Sequence, residues 1–123
     1  MSRARILVVD DELSNAEVLA LILREEGYEV AVAGDGRQAL ERVEDAAPDL
    51  LLTDYMMPGM NGVELARALR QLPRHGQLPV LLMSGASASM LKAHAGDYDA
   101  FLRKPFDIET LLRAVRSLLD ASA

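Results

Sequence analysis

The 123-residue sequence contains no cysteine and no tryptophan. Without cysteine the chain forms no disulfide bond and offers no thiolate to a metal, which suits a reducing compartment, and we predict a cytoplasmic location. Aromatic residues make up 4% of the sequence, so few side chains are available to stack on nucleic-acid bases. A formal net charge of −6 opposes contact with a phosphate backbone, and we predict no direct nucleic-acid binding.

Long hydrophobic runs are missing as well. The basic N-terminal residues 1–5 are followed by a short apolar run, residues 6–9, which ends at two aspartates. This run is too short for a signal peptide or a membrane helix, so we predict no membrane association. Hydrophobic residues nevertheless make up 50% of the sequence, which is enough for one core, and residues 1–123 are predicted to form a single domain.

Short apolar segments alternate with longer amphipathic ones along the chain. The short segments predict five strands, at residues 5–9, 28–33, 50–53, 79–83 and 100–103. The amphipathic segments predict five helices, at residues 13–26 and 37–46, from Asn61 as the N-cap to about residue 72, from residue 86 to about residue 95, and along the apolar stripe 108–119. This alternation predicts an α/β fold in which a doubly wound parallel sheet lies between two layers of helices.

Polar side chains follow four of the five predicted strands. Asp10 and Asp11 follow the first strand, Asp54 the third, Ser84 the fourth and Lys104 the fifth. Because doubly wound sheets bind ligands beyond the carboxyl ends of their strands, these side chains are expected to converge. Taken singly, each has an ordinary alternative: the aspartates and the serine could be helix caps or turn residues, and the lysine could be solvated. Their shared placement favours a functional site.

Three clustered carboxylates repel one another unless a cation lies among them. Mg²⁺ binds carboxylate and phosphate oxygens, whereas the two histidines that would suit a softer metal, His75 and His94, fall in a predicted loop and a predicted helix away from this edge. The sequence therefore predicts Mg²⁺ as the cofactor. When Mg²⁺ and a lysine neutralise the phosphoryl oxygens, a carboxylate can attack phosphorus and form an acyl phosphate. Ser84 Oγ and the backbone N–H of Gly85 could bind the new charge.

Five motifs, in order and at ordinary spacing, resemble those of the receiver domain of two-component response regulators, the CheY-like family. They are Asp10-Asp11-Glu12, Gly27-Tyr28-Glu29-Val30, Asp54-Tyr55-Met56-Met57-Pro58-Gly59-Met60-Asn61-Gly62, Met83-Ser84-Gly85 and Phe101-Leu102-Arg103-Lys104-Pro105-Phe106. The resemblance covers nearly the whole chain. It implies a flavodoxin-like, five-stranded parallel sheet in the order 2-1-3-4-5, flanked by five helices.

The resemblance also implies roles for the residues at the strand ends. Asp54 would be the phosphoacceptor, and Lys104 would contact the phosphoryl group. The Mg²⁺ ligands would be the carboxylates of Asp10, Asp11 and Asp54 together with the backbone carbonyl of Met56.

A second set of implied roles concerns the response to phosphorylation. Ser84 would be the switch hydroxyl, and Phe101 would be the aromatic residue whose orientation is coupled to it. The backbone N–H groups of Gly85 and Tyr55 would bind the phosphoryl oxygens.

The partners implied by the resemblance are a histidine kinase or a histidine phosphotransfer protein as donor, and a downstream effector protein or a fused output domain as recipient. The signal would pass through the face formed by the fourth helix, fifth strand and fifth helix. The chain would catalyse only its own phosphorylation and dephosphorylation. One departure bears on that face: the stretch 96–100 is one residue longer than the usual approach to the fifth strand.

Two other classes of function compete with this reading. A haloacid-dehalogenase-like aspartyl-phosphate hydrolase would carry a second Asp two residues after the nucleophile, where this chain has Met56. A flavodoxin-like cofactor binder would need a phosphate-binding loop after the first strand, where Asp10, Asp11 and Glu12 would repel a phosphate. The apolar side chain of Met56 near the path of attacking water is instead expected to make an acyl phosphate persist.

Overall fold

The computed structural model describes residues 3–85 and 96–122. The strands are β1 Arg5–Val9, β2 Glu29–Ala33, β3 Leu50–Asp54, β4 Val80–Ser84 and β5 Ala100–Arg103, and the helices are α1 Leu13–Glu25, α2 Gly36–Ala46, α3 Gly62–Arg70 and α4 Ile108–Ser122. All strands are parallel and lie in the order β2-β1-β3-β4-β5. The predicted α/β fold and strand order are therefore confirmed. The predicted helix at 86–95 lies outside the described residues, and α4 is the predicted fifth helix.

Alternate residues of the inner strands face opposite layers of helices. Ile6 and Val8 of β1 lie in a core with buried residues of α1 and α4, whereas Leu7 and Val9 lie in a core with buried residues of α2 and α3. All residues of β3 are buried, as expected for a central parallel strand. Each fully buried aliphatic side chain contributes about 2 kcal/mol of transfer free energy, so the two cores stabilise the packing of the helices on both faces of the sheet.

Several predicted ends are one or two residues from those observed. β2 begins at Glu29 rather than Tyr28, because the Tyr28 N–H donates to a carbonyl group of α1 and so belongs to the end of that helix. Gly27, with φ of +96°, makes the turn there in a conformation that favours glycine. β3 and β4 each extend one residue further than predicted, so Asp54 and Ser84 are the last residues of their strands.

The N-termini of α2 and α3 are held by side-chain caps. At the predicted N-cap, Asn61 accepts from the Glu64 N–H at 2.8 Å, and the Glu64 carboxylate accepts from the Asn61 N–H at 3.0 Å, which together form a capping box. Asp35 caps α2 in a similar way by accepting from the Gln38 N–H at 2.8 Å. Among the described helices, no segment combines the length and apolar character needed to cross a membrane.

In the sheet that residues 3–85 and 96–122 form, β2 lies at one edge and pairs with β1. The Ala33 carbonyl accepts from the Asp10 N–H, and because alternate residues of a parallel strand face the same neighbour, the carbonyls of Val30 and Val32 point to the open edge. Arg24 of α1 donates to Val30 O at 2.9 Å, and Arg42 of α2 donates to Val32 O. The outward carbonyls of the edge strand are thus covered from both helical layers.

Candidate functional site

Three carboxylates meet at the carboxyl end of the sheet. Asp10 and Asp11 directly follow β1, and Asp54 ends the neighbouring strand β3. One oxygen of each lies within 4.8 Å of the others. Asp10 and Asp54 are only 1% and 7% exposed, whereas Asp11 is exposed to solvent. The three carboxylates converge as predicted. Asp11 differs from the other two because it is exposed to solvent, whereas they are buried.

Asp10 is held by hydrogen bonds on both sides. Its N–H donates to Ala33 O at 3.2 Å, and its Oδ1 accepts from the Glu12 N–H at 3.0 Å. Burial raises the pKa of Asp10, and the Asp54 and Asp11 carboxylates raise it further, while the Glu12 N–H and Lys104 oppose the increase. The Asp10 carboxylate is therefore held in an environment that disfavours its charged form.

Lys104 is the cation of the cluster. Its Nζ lies 3.1 Å from Asp54 Oδ1, and its N–H donates to Ser84 O at 2.9 Å. The Lys104–Pro105 peptide bond is cis. Burial raises the pKa of Asp54, and Asp11 adds to this, although Lys104 lowers that pKa. The pKa of Asp54 remains raised despite the ammonium, because burial outweighs the effect of Lys104.

The donor set suits a hard divalent cation. Asp10, Asp11 and Asp54 offer carboxylate oxygens within a span that one ion can bridge. Mg²⁺ typically binds one or two carboxylates and keeps water or phosphate oxygens for its other positions. A second positive charge would also remove the penalty that burial imposes on Asp10 and Asp54. His75, by contrast, lies before β4 near Glu44, and His94 is outside the described residues.

The remaining predicted residues surround this cluster. Ser84 is 1% exposed at the end of β4, and Gly85 follows it at the surface. The Tyr55 N–H donates to Met83 O at 2.8 Å and also lowers the pKa of Asp54. The roles predicted for Ser84, Gly85 and Tyr55 toward a phosphoryl group stay predictions.

Met56 and Phe101 differ sharply in their surroundings. The Met56 side chain is 68% exposed, and the role of its carbonyl as a metal ligand stays a prediction. Phe101 is partly buried, pairs with Leu82 in the sheet, and packs against the small cluster that Leu82 forms with Val63. Phe101 thus lies on β5 in contact with residues of β4 and α3, and its coupling to Ser84 also stays a prediction.

Two residues that support Asp54 were not predicted to do so. The buried Thr53 hydroxyl donates to Asp54 O at 3.0 Å. Gly62, the first residue of α3, packs so closely that an added Cβ would lie 2.4 Å from Asp54 O, and its N–H donates to Tyr55 O at 2.8 Å. The only signal in the sequence was the place of Gly62 in the phosphoacceptor motif. The start of α3 therefore packs against the backbone of Asp54 and Tyr55.

A groove with a volume of about 520 Å³ opens beside the carboxylates. Asp10 and Lys104 line it together with other residues that include Asn15, Leu19 and Phe106. The groove gives the cluster an open approach between α1 and the segment after β5.

Residues 6–116 match the family model described as the response regulator receiver domain. The chain is 42% identical over 122 residues to the DNA-binding response regulator MtrA of Mycobacterium tuberculosis (strain ATCC 25618 / H37Rv), a match that covers 95% of this chain and 51% of MtrA. It is 35% identical over 117 residues to the phosphate regulon transcriptional regulatory protein PhoB of Rhizobium meliloti, covering 94% of this chain and 52% of PhoB. The chain belongs to the response regulator receiver domain family, and it spans about half the length of these curated relatives.

Solved structures give the same assignment. The chemotaxis protein CheY4 of Vibrio cholerae superposes with a TM-score of 0.90 at 32% identity, covering 95% of this chain and 99% of CheY4. The response regulator TrrA of Thermotoga maritima, in complex with Mg²⁺-BeF, superposes with a TM-score of 0.83 at 33% identity, covering 94% and 98% of the two chains. The chain is therefore a CheY-like signalling domain of two-component systems.

Proposed function

We propose that this domain is a switch controlled by phosphorylation of Asp54 in a Mg²⁺-dependent reaction. The observation that carries this proposal is the meeting of Asp10, Asp11 and Asp54 within 4.8 Å, with Lys104 Nζ 3.1 Å from the buried Asp54 carboxylate. The donor is a histidine kinase or a histidine phosphotransfer protein, as expected for the family. The complex of TrrA with Mg²⁺-BeF supports Mg²⁺ as the ion.

In the transfer step, a carboxylate oxygen of Asp54 attacks phosphorus, the Oδ–P bond forms, and the P–N bond to the donor histidine breaks. Asp10, Asp11, Asp54 and the Met56 carbonyl would hold the Mg²⁺ ion, which would supply the positive charge that neutralises the phosphoryl oxygens. Lys104 pairs with Asp54 before transfer and binds a phosphoryl oxygen afterwards. Burial of Asp54 strengthens these electrostatic contacts because the surrounding dielectric constant is low.

The acyl phosphate adds negative charge beside the ends of β4 and β5. The Ser84 hydroxyl and the N–H groups of Gly85 and Tyr55 bind that charge. Movement of Ser84 changes the space available to Phe101, which packs near Leu82, and so alters the surface around β5 and α4. A downstream effector protein or a fused output domain reads the altered face, which includes the predicted fourth helix.

Residues 1–123 form a single domain that catalyses only its own phosphorylation and dephosphorylation. They bind no nucleic acid directly, because a net charge of −6 opposes the phosphate backbone. The location is cytoplasmic, as expected for a domain that receives phosphoryl groups from a histidine kinase.

The first test is labelling with a small phosphodonor. Acetyl phosphate with Mg²⁺ should phosphorylate the wild-type protein at one site, detected by intact-mass spectrometry. Asp54→Asn should abolish labelling, because an amide is a poor nucleophile toward phosphorus. Chelation of Mg²⁺ with EDTA should also prevent labelling of the wild-type protein.

The matched control is Asp49→Asn, which removes a carboxylate next to Arg5, at the opposite end of β1 from the carboxylate cluster. It should label like the wild-type protein. Full labelling of Asp54→Asn would show that another residue accepts the phosphoryl group. Turnover of small phosphate esters by the wild-type protein would favour the hydrolase alternative.

A further inference from the structure

Arg70, the last residue of α3, joins three separate parts of the chain. Its guanidinium donates to Leu78 O just before β4, through Nε at 3.3 Å and Nη2 at 3.1 Å. It also donates to Gly96 O at 3.4 Å and to Asp99 Oδ2 at 2.6 Å, both before β5. The planar fork of an arginine can hold several acceptors in fixed directions, which a lysine cannot. Arg70 therefore binds the entries of β4 and β5 together.

Asp99 is the residue through which Arg70 reaches β5. Its Oδ2 accepts from the Val80 N–H at 2.7 Å, and its own N–H donates to Val80 O at 2.9 Å. The side chain of Arg70 is 22% exposed and that of Asp99 is 43% exposed, so the ion pair is partly shielded from solvent. Asp99 immediately precedes β5. Its two hydrogen bonds with Val80 therefore set the position along β4 at which β5 begins to pair.

The register of β5 determines where Lys104 lies. β5 has four residues and lies at the edge of the sheet that the described strands form, next to β4. The register runs from Leu81 opposite Ala100 to Ser84 opposite Arg103, and Lys104 follows at once. A shift of one residue would displace Lys104 by about 3.3 Å and turn each side chain to the other face of the sheet. Such a shift would break the contact between Lys104 and Asp54.

We propose that Arg70 is a positioning residue for Lys104. Through Asp99 it fixes the register of β5 on β4, and in this way it holds the Lys104 ammonium beside Asp54. Its effect on phosphoryl transfer rests on the function proposed above, whereas its effect on the position of Lys104 does not.

Arg67 provides a matched control on the same helix. It lies one turn before Arg70 and pairs with Asp97 at 2.8 Å, two residues further from β5 than Asp99. Arg67→Met and Arg70→Met each remove one guanidinium and one ion pair and leave an apolar side chain of similar length. A difference between the two variants therefore reports on the connection to Asp99 and β4.

The first experiment uses the unphosphorylated protein and NMR spectroscopy. In Arg70→Met, hydrogen exchange of the Lys104 amide should become roughly tenfold faster, and the Lys104 Cε signal should move toward that of an unpaired lysine. Arg67→Met should leave both unchanged. If Arg70→Met does not fold, Asp99→Asn replaces it, because Asn keeps an acceptor for the Val80 N–H but loses the charge that Arg70 binds. Equal exchange rates and Lys104 signals in the two arginine variants would overturn the proposal.

The second experiment measures the rate of labelling by acetyl phosphate with Mg²⁺. Arg70→Met should slow labelling about fivefold, and it should add nothing in a Lys104→Ala background, because Arg70 acts through Lys104. A residue with a merely structural role would give the same loss in both backgrounds, and that additive result would overturn the proposal. Failure of the wild-type protein to label would contradict the function of Asp54, while the exchange experiment would still decide the role of Arg70.

Discussion

Two adjacent methionines that follow Asp54 in the chain have opposite environments. The side chain of Met57 is 9% exposed and lies in the core between the sheet, α2 and α3, whereas that of Met56 is 68% exposed. Because Met57 anchors the loop, Met56 is held at the rim of the site. A large thioether there offers no strong hydrogen bond to orient an attacking water.

Replacing Met56 with a polar residue should therefore shorten the life of the acyl phosphate. Met56→Asn or Met56→Glu should accelerate hydrolysis severalfold, which is less than the ~10²-fold of a well-placed general base. The measurement is the loss of label from Asp54 after acetyl phosphate is removed in the presence of Mg²⁺. Met57→Leu is the control, since it conserves volume in the core and leaves the rim unchanged. An unaltered hydrolysis rate in both Met56 variants would disprove the role of this side chain.

At the scale of elements, α3 connects the backbone of Asp54 with the entry to β5. Its first residue, Gly62, lies against Asp54 O, and its last residue, Arg70, binds Asp99. A Cβ at position 62 would also lie 2.8 Å from Leu82 Cδ1, so at least one element must move to admit it. The nine-residue helix therefore has little freedom to shift along its axis.

Gly62→Ala should lower the free energy of unfolding by about 2 kcal/mol, the cost typical of an overpacked site. It should also slow labelling of Asp54 in the fraction that remains folded. Gly76→Ala is the matched control, because the nearest atom to its added Cβ is Arg70 O at 3.7 Å, an ordinary contact distance. Urea denaturation of both variants checks the prediction, and equal midpoints would refute it.

The elements themselves follow closely from the sequence pattern. Apolar runs predicted all five strands because parallel strands are covered on both faces, and periodicity predicted the four described helices. The ends were less accurate, since they depend on hydrogen bonds such as that from the Tyr28 N–H to α1. The stretch 96–100 is one residue longer than is usual in the family, which bears on the end of the predicted fourth helix and on the output face. In the structure, Asp99 pairs with Val80 and leads into a regular strand.

For the whole molecule, the buried carboxylates reduce stability when no metal is bound. Folding raises the pKa of Asp10 above its ordinary value of 3.8, so the folded protein binds more protons than the unfolded chain in that range. The free energy of unfolding therefore falls as pH rises from about 3.8 through the raised pKa, and the loss persists at neutral pH.

Asp10→Asn should thus raise the free energy of unfolding of the metal-free protein at neutral pH and have little effect below the ordinary pKa. The amide oxygen can still accept from the Glu12 N–H. Mg²⁺ should stabilise the wild-type protein, by about 2.7 kcal/mol at a hundredfold excess over its Kd, and should stabilise the variant less. Urea denaturation with EDTA or Mg²⁺ across a pH series measures both effects. Asp120→Asn, an exposed change on α4, is the control, and equal Mg²⁺ responses in the two variants would contradict the assignment.

The sequence predicted those parts of the candidate site that depend on which residues end the strands of the sheet. Asp10, Asp11, Asp54, Ser84 and Lys104 follow from the rule that strand ends carry the ligands of doubly wound sheets. The burial of Asp10 beside an exposed Asp11 depends on how the helices cover the sheet. The contacts of Gly62 and Arg70 join residues that are distant in sequence, and periodicity carries no information about such contacts.

The covering of β2 by arginine side chains has a consequence for behaviour at high concentration. An uncovered strand edge invites another chain to pair with it and can seed fibrils. Arg24 and Arg42 occupy the outward carbonyls of Val30 and Val32, and they bring positive charge to that side of the molecule. Two identical copies that approach each other edge to edge along β2 would therefore meet occupied acceptors and like charges, which opposes pairing of the two strands.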